Sequence, residues 1–155
     1  LAPLAGEGAA EPRAALERLL SDPVRSVRFH AERALRATLD EASVPGREFL
    51  GILDYIADQP AGRLERGQYR LARSDPAGAV RELEKAVEFD PFSAPLRHDL
   101  GMAYAAAGKS DRAVGELEAA CGIAPRDAEY RYHLALAYHE SARPQSGQGD
   151  GMVSP

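Results

Sequence analysis

The sequence predicts an all-α fold, a right-handed solenoid of helical repeats, and two observations support this. The first is an internal repeat: shifting the chain by 34 residues places Arg63, Gly67, Leu83 and eight further residues of 63–94 on identical residues. Chance composition would give about two or three such matches. The second is that apolar residues recur at helical spacing within each period. A fixed period of helical pairs is typical of a solenoid, in which each repeat packs on its neighbours.

Residues 1–40 do not share this period, and we expect a helical hairpin there. Asp22-Pro23 separates its two helices, because proline is accepted at the start of a helix and not in its interior. The second helix is predicted over 23–39, with an apolar face made of Val24, Val27, Ala31, Ala34 and Leu35. The string Asp-Pro-Val-Arg-Ser-Val-Arg, followed by these alanines and Leu35, resembles the second half of a HEAT-type repeat.

Residues 41–60 are predicted to contain a linker and a bridging helix. The linker is expected over 41–47, where Pro45 and Gly46 interrupt the helical pattern. The bridging helix is expected over 48–58, with an apolar face that includes Phe49 and Leu53. We expect this helix to join the solenoid.

The repeats occupy 61–143, as one repeat at 61–94, a second at 95–128 and a lone first helix at 128–142. In the second repeat Leu100, Gly101 and Tyr104 mark the first helix, Gly108 ends it, and Ser110 or Asp111 is expected to cap the next. Asp75, Ser93 and Asp127 are expected caps in the neighbouring units. The second helix and the end of the unit are marked by Ala113, Leu117, Ala120 and Pro125.

This pattern resembles the tetratricopeptide repeat, of which the region would hold about two and a half copies. The first copy departs from the pattern, because Arg66 and Arg70 stand where Leu100 and Tyr104 stand one period later. We expect that helix pair to be less tightly packed or to have a polar partner. Residues 144–155, rich in Gly, Ser, Gln and Pro, are expected to form a flexible tail.

Composition excludes several classes of function. The net charge of −5 argues against binding to nucleic acid, and no apolar stretch approaches the ~20 residues of a membrane span. The single cysteine, Cys121, excludes an internal disulfide, and we expect it to serve packing rather than to be a reactive thiol. Four histidines are scattered along the chain, at spacings that match no helical zinc site: His30, His98, His133 and His139. The sequence therefore predicts no metal ligand and no catalytic residue.

Two surfaces are candidates for binding. An arginine stripe on one helical face could receive an anionic partner, or could simply pair with Glu82, Glu84 and Glu88: Arg63, Arg66, Arg70 and Arg73. The concave face of a tetratricopeptide solenoid, lined by the first helix of each repeat, is expected to bind a peptide or helix of a protein partner, although a groove this short could be packing surface alone. It would comprise Leu64, Gln68, Leu71, His98, Met102, Ala105, Tyr132, Leu136 and His139.

The last helix, 128–142, carries apolar groups nearly all round, including Tyr130, Leu134 and Tyr138. The terminal helix of a solenoid is expected to have a polar face on its solvent-exposed side. We therefore expect another copy of the chain or another protein to cover this end.

The order of a HEAT-like hairpin, a linker helix and tetratricopeptide units resembles the C-terminal region of certain bacterial multihaem c-type cytochromes. The resemblance implies a non-catalytic periplasmic scaffold that is attached to, or docked on, an electron-transfer protein. The chain has no Cys-x-x-Cys-His, so we expect it to bind no cofactor itself, with any haem on a segment upstream of Leu1 or on a partner. The alternative is a stand-alone cytoplasmic adaptor.

Overall fold

The computed structural model describes residues 10–142, with side chains from residue 12 onward. This part of the chain contains eight helices and no strand: α1 Ala10–Leu19, α2 Arg25–Leu35, α3 Val44–Tyr55, α4 Pro60–Ala72, α5 Pro76–Phe89, α6 Ala94–Ala106, α7 Ser110–Ile123 and α8 Ala128–Ser141. The all-α helical-repeat fold is thus confirmed. The predicted tail at 144–155 lies outside the described residues, as do residues 1–9 of the predicted hairpin.

Two glycines, one period apart, allow the helices of each repeat to approach closely. A Cβ atom on Gly67 of α4 would lie 2.6 Å from Leu83 Cγ of α5. A Cβ atom on Gly101 of α6 would lie 2.7 Å from Leu117 Cγ of α7. Both distances are well below van der Waals contact, so only glycine fits without movement of the leucine. The 34-residue period therefore repeats a packing contact as well as a sequence pattern.

The main core lies among α4, α5, α6 and α7. Its buried side chains are mostly small or aliphatic, which suits closely packed helices. They are Ala79, Val80, Leu83, Ala86, Val87, Leu96, Leu100, Ala103, Tyr104 and Ala113.

The turns between paired helices are equivalent in the two repeats. Ser74 (φ 59°) and Gly108 (φ 71°) take the same left-handed conformation one period apart, and this conformation ends the preceding helix. Asp75 caps α5 by accepting a hydrogen bond from Gly78 N at 2.8 Å, and Asp127 caps α8 in the same way. The predicted cap at Ser110 or Asp111 is wrong, since Lys109 occupies the N-cap position and no side chain caps α7. Ser93 does occupy the N-cap position of α6, but its side chain makes no capping hydrogen bond.

The bridging helix begins earlier than the sequence suggests. α3 starts at Val44, inside the predicted linker, and ends at Tyr55. Ser43 Oγ accepts a hydrogen bond from Gly46 N at 3.0 Å, and Pro45 lies in the first turn, where its missing N–H has no partner to lose. The two residues interpreted as helix breakers therefore belong to a capped helix start.

The buried face of α2 is rotated from the predicted one. Ala31 and Leu35 are buried as expected, whereas Ala34 is exposed and Val24, which precedes the helix, is 53% exposed. Glu32 takes their place and is fully buried. The predicted face was wrong because the carboxylates of the chain were expected to lie on solvent-exposed surfaces.

The N-terminal helices pack onto the repeats through aromatic rings. Phe29 of α2, Phe49 of α3 and Tyr69 of α4 form a chain with ring centroids 5.7 Å apart at each step. α3 therefore joins the repeat region, as expected. A helical hairpin is common to many folds, so the HEAT-like resemblance stays a prediction.

Candidate functional site: the face of the first helices

The helices α4, α6 and α8 are the first helices of successive units, and α5 and α7 are the second helices. α6 contacts both α4 and α8, so the three first helices form one continuous face. This is the face on which the sequence places the binding surface. Positions 34 residues apart are equivalent on it, so that Met102 of α6 corresponds to Leu136 of α8.

The predicted surface residues are exposed to very different degrees. Leu64, Leu71 and Ala105 pack against the main core and are only partly exposed. Met102 is half-buried, whereas Tyr132 and Leu136 are 61% and 42% exposed. His139 is also exposed. Among these residues, the accessible apolar area is therefore concentrated on α8.

His98 does not lie on the exposed surface, contrary to expectation. It is only 7% exposed, and the ring of Tyr130 from α8 stacks on it with centroids 4.6 Å apart. Burial raises the pKa of the Tyr130 hydroxyl, and the carboxylates of Asp127 and Asp99 add to this effect. His98 thus fixes α8 against α6.

A chain of polar contacts crosses all three first helices. Gln68 Nε2 of α4 donates to Asp99 Oδ2 of α6 at 2.6 Å. Asp99 Oδ1 lies 3.0 Å from His98 Nδ1, and His98 Nε2 lies 2.8 Å from Nδ1 of His133 on α8. Buried polar groups need such partners, because an unpaired one costs free energy. These polar contacts therefore set the register of α4, α6 and α8 relative to one another.

Glu129 lies one turn before His133 on α8, beside the two histidines. Ligand atoms of His98, Glu129 and His133 all lie within 4.8 Å of one another. The expectation of scattered histidines was therefore wrong for this pair. The spacing of Glu129 and His133 by four residues was visible in the sequence, but their meeting with His98 depends on α6 lying beside α8.

The arginine stripe is paired with carboxylates. All four guanidinium groups form ion pairs, and Glu82 is the only one of the three expected partners among them. This favours the structural interpretation of the stripe over a site for an anionic partner. The pairs are Arg63 with Glu82 at 3.0 Å, Arg66 with Asp54 at 3.0 Å and Glu82 at 3.6 Å, Arg70 with Asp75 at 2.8 Å, and Arg73 with Glu41 at 3.4 Å.

The lone thiol lies in α7. Cys121 is half-buried, and burial raises the pKa of its thiol. Because the thiolate is the reactive form, this favours a packing role for Cys121.

The C-terminal helix exposes the face on which a second helix of its repeat would pack. Ala135 and Tyr138 correspond to Gly101 and Tyr104 of the preceding repeat. Tyr104 is 5% exposed against α7, whereas Tyr138 is 47% exposed and Ala135 is exposed. The Tyr138 hydroxyl donates a hydrogen bond to Glu118, and this bond is the main reason why its pKa is raised.

Comparison with known protein families supports the repeat assignment. Residues 70–137 match a family model described as "Tetratricopeptide repeat", and this stretch spans two 34-residue periods. No curated protein matches the chain. Among the helices of residues 10–142, none combines the length and apolar character that a membrane-spanning helix requires.

The matched region is thus similar to tetratricopeptide repeats, and the helices around it have the all-α helical-repeat fold that such repeats form. Repeats of this class are protein–protein interaction modules and are in general not enzymes. The similarity therefore suggests a protein partner, and the face of the first helices is the surface to consider.

Proposed function

We propose that this chain is a non-catalytic interaction scaffold that binds an extended peptide or an amphipathic helix of its partner on the face of α4, α6 and α8. One observation carries the proposal: Tyr132 and Leu136 expose apolar side chains one turn apart on α8. On α6, half-buried Met102 occupies the position equivalent to Leu136, one period earlier. Methionine adapts its shape to a bound apolar side chain. A partner helix with apolar side chains at helical spacing would cover such a surface.

The test is a peptide selection followed by substitution. Peptides selected on the full chain by display would be labelled, and their affinity would be measured by fluorescence anisotropy. Combining Met102→Glu with Leu136→Glu should abolish binding, since each change would desolvate a carboxylate against the ligand. Phe89→Glu is the matched control, because Phe89 is 63% exposed on α5, a second helix.

Loss of binding in the double variant, with the control unaffected and with wild-type helicity by circular dichroism, would support the proposal. Retained binding in the double variant, or equal loss in Phe89→Glu, would remove the face of the first helices from consideration.

We further propose that the partner is a multihaem c-type cytochrome and that the chain works in the periplasm. The support is the resemblance of residues 22–35 and 60–140 to the C-terminal region of such cytochromes. The absence of Cys-x-x-Cys-His requires that the haem be carried elsewhere. The alternative, a cytoplasmic adaptor without a redox partner, makes a different prediction.

A visible absorption spectrum and an intact mass of the protein from its native source separate the two alternatives. A c-type haem band that accompanies these residues would support the cytochrome association. A colourless protein that copurifies with no haem protein would support the cytoplasmic adaptor.

A further inference from the structure

His98, His133 and Glu129 have the ligand types and the proximity of a metal site, and nothing in the protein-binding proposal depends on them. Two imidazole nitrogens with one carboxylate oxygen suit Zn²⁺, which accepts three protein ligands and keeps a fourth position for water or another group. The ligand atoms lie within 4.8 Å of one another. We propose that these three residues bind one Zn²⁺ ion between α6 and α8.

The contacts of His98 present the correct nitrogen. Its Nδ1 faces Asp99 Oδ1 at 3.0 Å, and a carboxylate can only accept, so Nδ1 carries the proton. Nε2 therefore holds the free electron pair, and it points towards His133. A metal-binding histidine that donates its other N–H to a carboxylate is the usual arrangement, since it fixes the ring and strengthens the ligand.

The surroundings hold His98 in place before any ion arrives. Gln68 donates to Asp99 at 2.6 Å, and the ring of Tyr130 stacks on the imidazole. His98 is buried, His133 is half-buried and Glu129 is exposed. The site is thus rigid on the α6 side and open on the α8 side, so that an ion can enter from solvent.

Only a small movement of the two histidines relative to each other is needed to admit the ion. His98 Nε2 and His133 Nδ1 are 2.8 Å apart. In a tetrahedral zinc site, with Zn–N distances of about 2.05 Å, two ligand nitrogens lie about 3.3 Å apart. Rotation of the half-buried His133 side chain can supply the difference of about 0.5 Å. Its proton moves from Nδ1 to Nε2, so the neutral ring becomes a ligand through Nδ1.

The charge at the site also favours a cation. Asp99 and Glu129 bring two carboxylates close to the two imidazoles, and the guanidinium group of Arg97, next to His98 in the sequence, pairs with Glu116 at 2.8 Å. A divalent ion would offset both carboxylate charges.

The experiment is a titration of the chelator-stripped full chain with Zn²⁺, in competition with a chromophoric chelator. We expect one ion per chain. His133→Ala should weaken binding about 100-fold, and Asp99→Asn about tenfold, because the latter removes the partner that orients His98. His139→Ala, an exposed histidine on the same helix, and Cys121→Ser should bind as the wild type does. Circular dichroism would confirm that each variant is folded.

A second measurement identifies the ligands directly. The zinc K-edge absorption spectrum of the 1:1 complex should show scattering from two imidazole rings. The proposal would be overturned by a wild-type chain that binds no stoichiometric Zn²⁺, by equal affinities of His133→Ala and His139→Ala, or by a spectrum with fewer than two imidazoles.

Discussion

Glu32 on α2 makes the folding stability of this protein sensitive to pH near neutrality. Its side chain is fully buried, and neither carboxyl oxygen has a hydrogen-bond partner. Burial is the main reason why the pKa of Glu32 is raised from 4.5 to about 7, and the charge of Glu48 adds to it. The charge of Arg28 offsets only part of this rise, and the Arg28 guanidinium is bound by Glu48 with contacts of 2.9 and 2.7 Å.

The sign of the effect follows from proton linkage. Between pH 4.5 and about 7 the unfolded chain has lost the Glu32 proton and the folded chain retains it. The folded state is therefore penalised as pH rises through this window. Since each pH unit is worth about 1.4 kcal/mol, the contribution of Glu32 to the free energy of unfolding should fall by about 2.5 kcal/mol between pH 5 and pH 8.

The assay is urea unfolding of the wild type and of Glu32→Gln at a series of pH values, followed by circular dichroism. The glutamine has nearly the same shape and does not ionise, so the variant should match the wild type near pH 5 and be more stable at pH 8. Glu88→Gln is the control, because it removes the same charge from an exposed position. The reasoning would be refuted if the difference between the wild type and Glu32→Gln changed by less than about 0.5 kcal/mol across this range.

Three further outcomes are expected. Gly101→Ala should destabilise the fold by about 1–3 kcal/mol in urea unfolding, because its Cβ would lie 2.7 Å from Leu117 Cγ. Gly115→Ala should instead stabilise the fold by about 0.5–1 kcal/mol, since it is mid-helix in α7 with no atom within 4 Å of a new Cβ; equal signs for the two would contradict the packing account. If a second copy covers the exposed face of α8, Tyr138→Arg should shift the light-scattering mass from dimer to monomer, and an unchanged dimer mass would end that interpretation.

The repeat region was predictable because its information is local and periodic. The 34-residue shift matched Gly67 and Leu83 to Gly101 and Leu117, the residues that form the two equivalent contacts, and apolar spacing located the helices. The start of α3 was missed, since a proline and a glycine that usually interrupt a helix can also lie in its first turn once Ser43 caps it.

The candidate sites were harder to predict because they depend on neighbouring helices. Nothing in the spacing of His98 and His133 shows that their ring nitrogens meet, since the contact requires α6 and α8 to lie side by side. The arginine stripe was visible, but three of its four partners were not, because Asp54, Asp75 and Glu41 are supplied by the fold. The burial of Glu32 likewise follows from how α2 rotates against the rest of the molecule.

The proposed binding of a peptide or helix of a protein partner on the face of α4, α6 and α8 can be observed residue by residue. The most direct measurement is an amide chemical-shift map of the full chain, recorded with and without a display-selected peptide. We expect the largest shifts to cluster on α6 and α8 around Met102, Tyr132 and Leu136. Shifts confined to α5 and α7, or spread over the chain without a cluster, would contradict it.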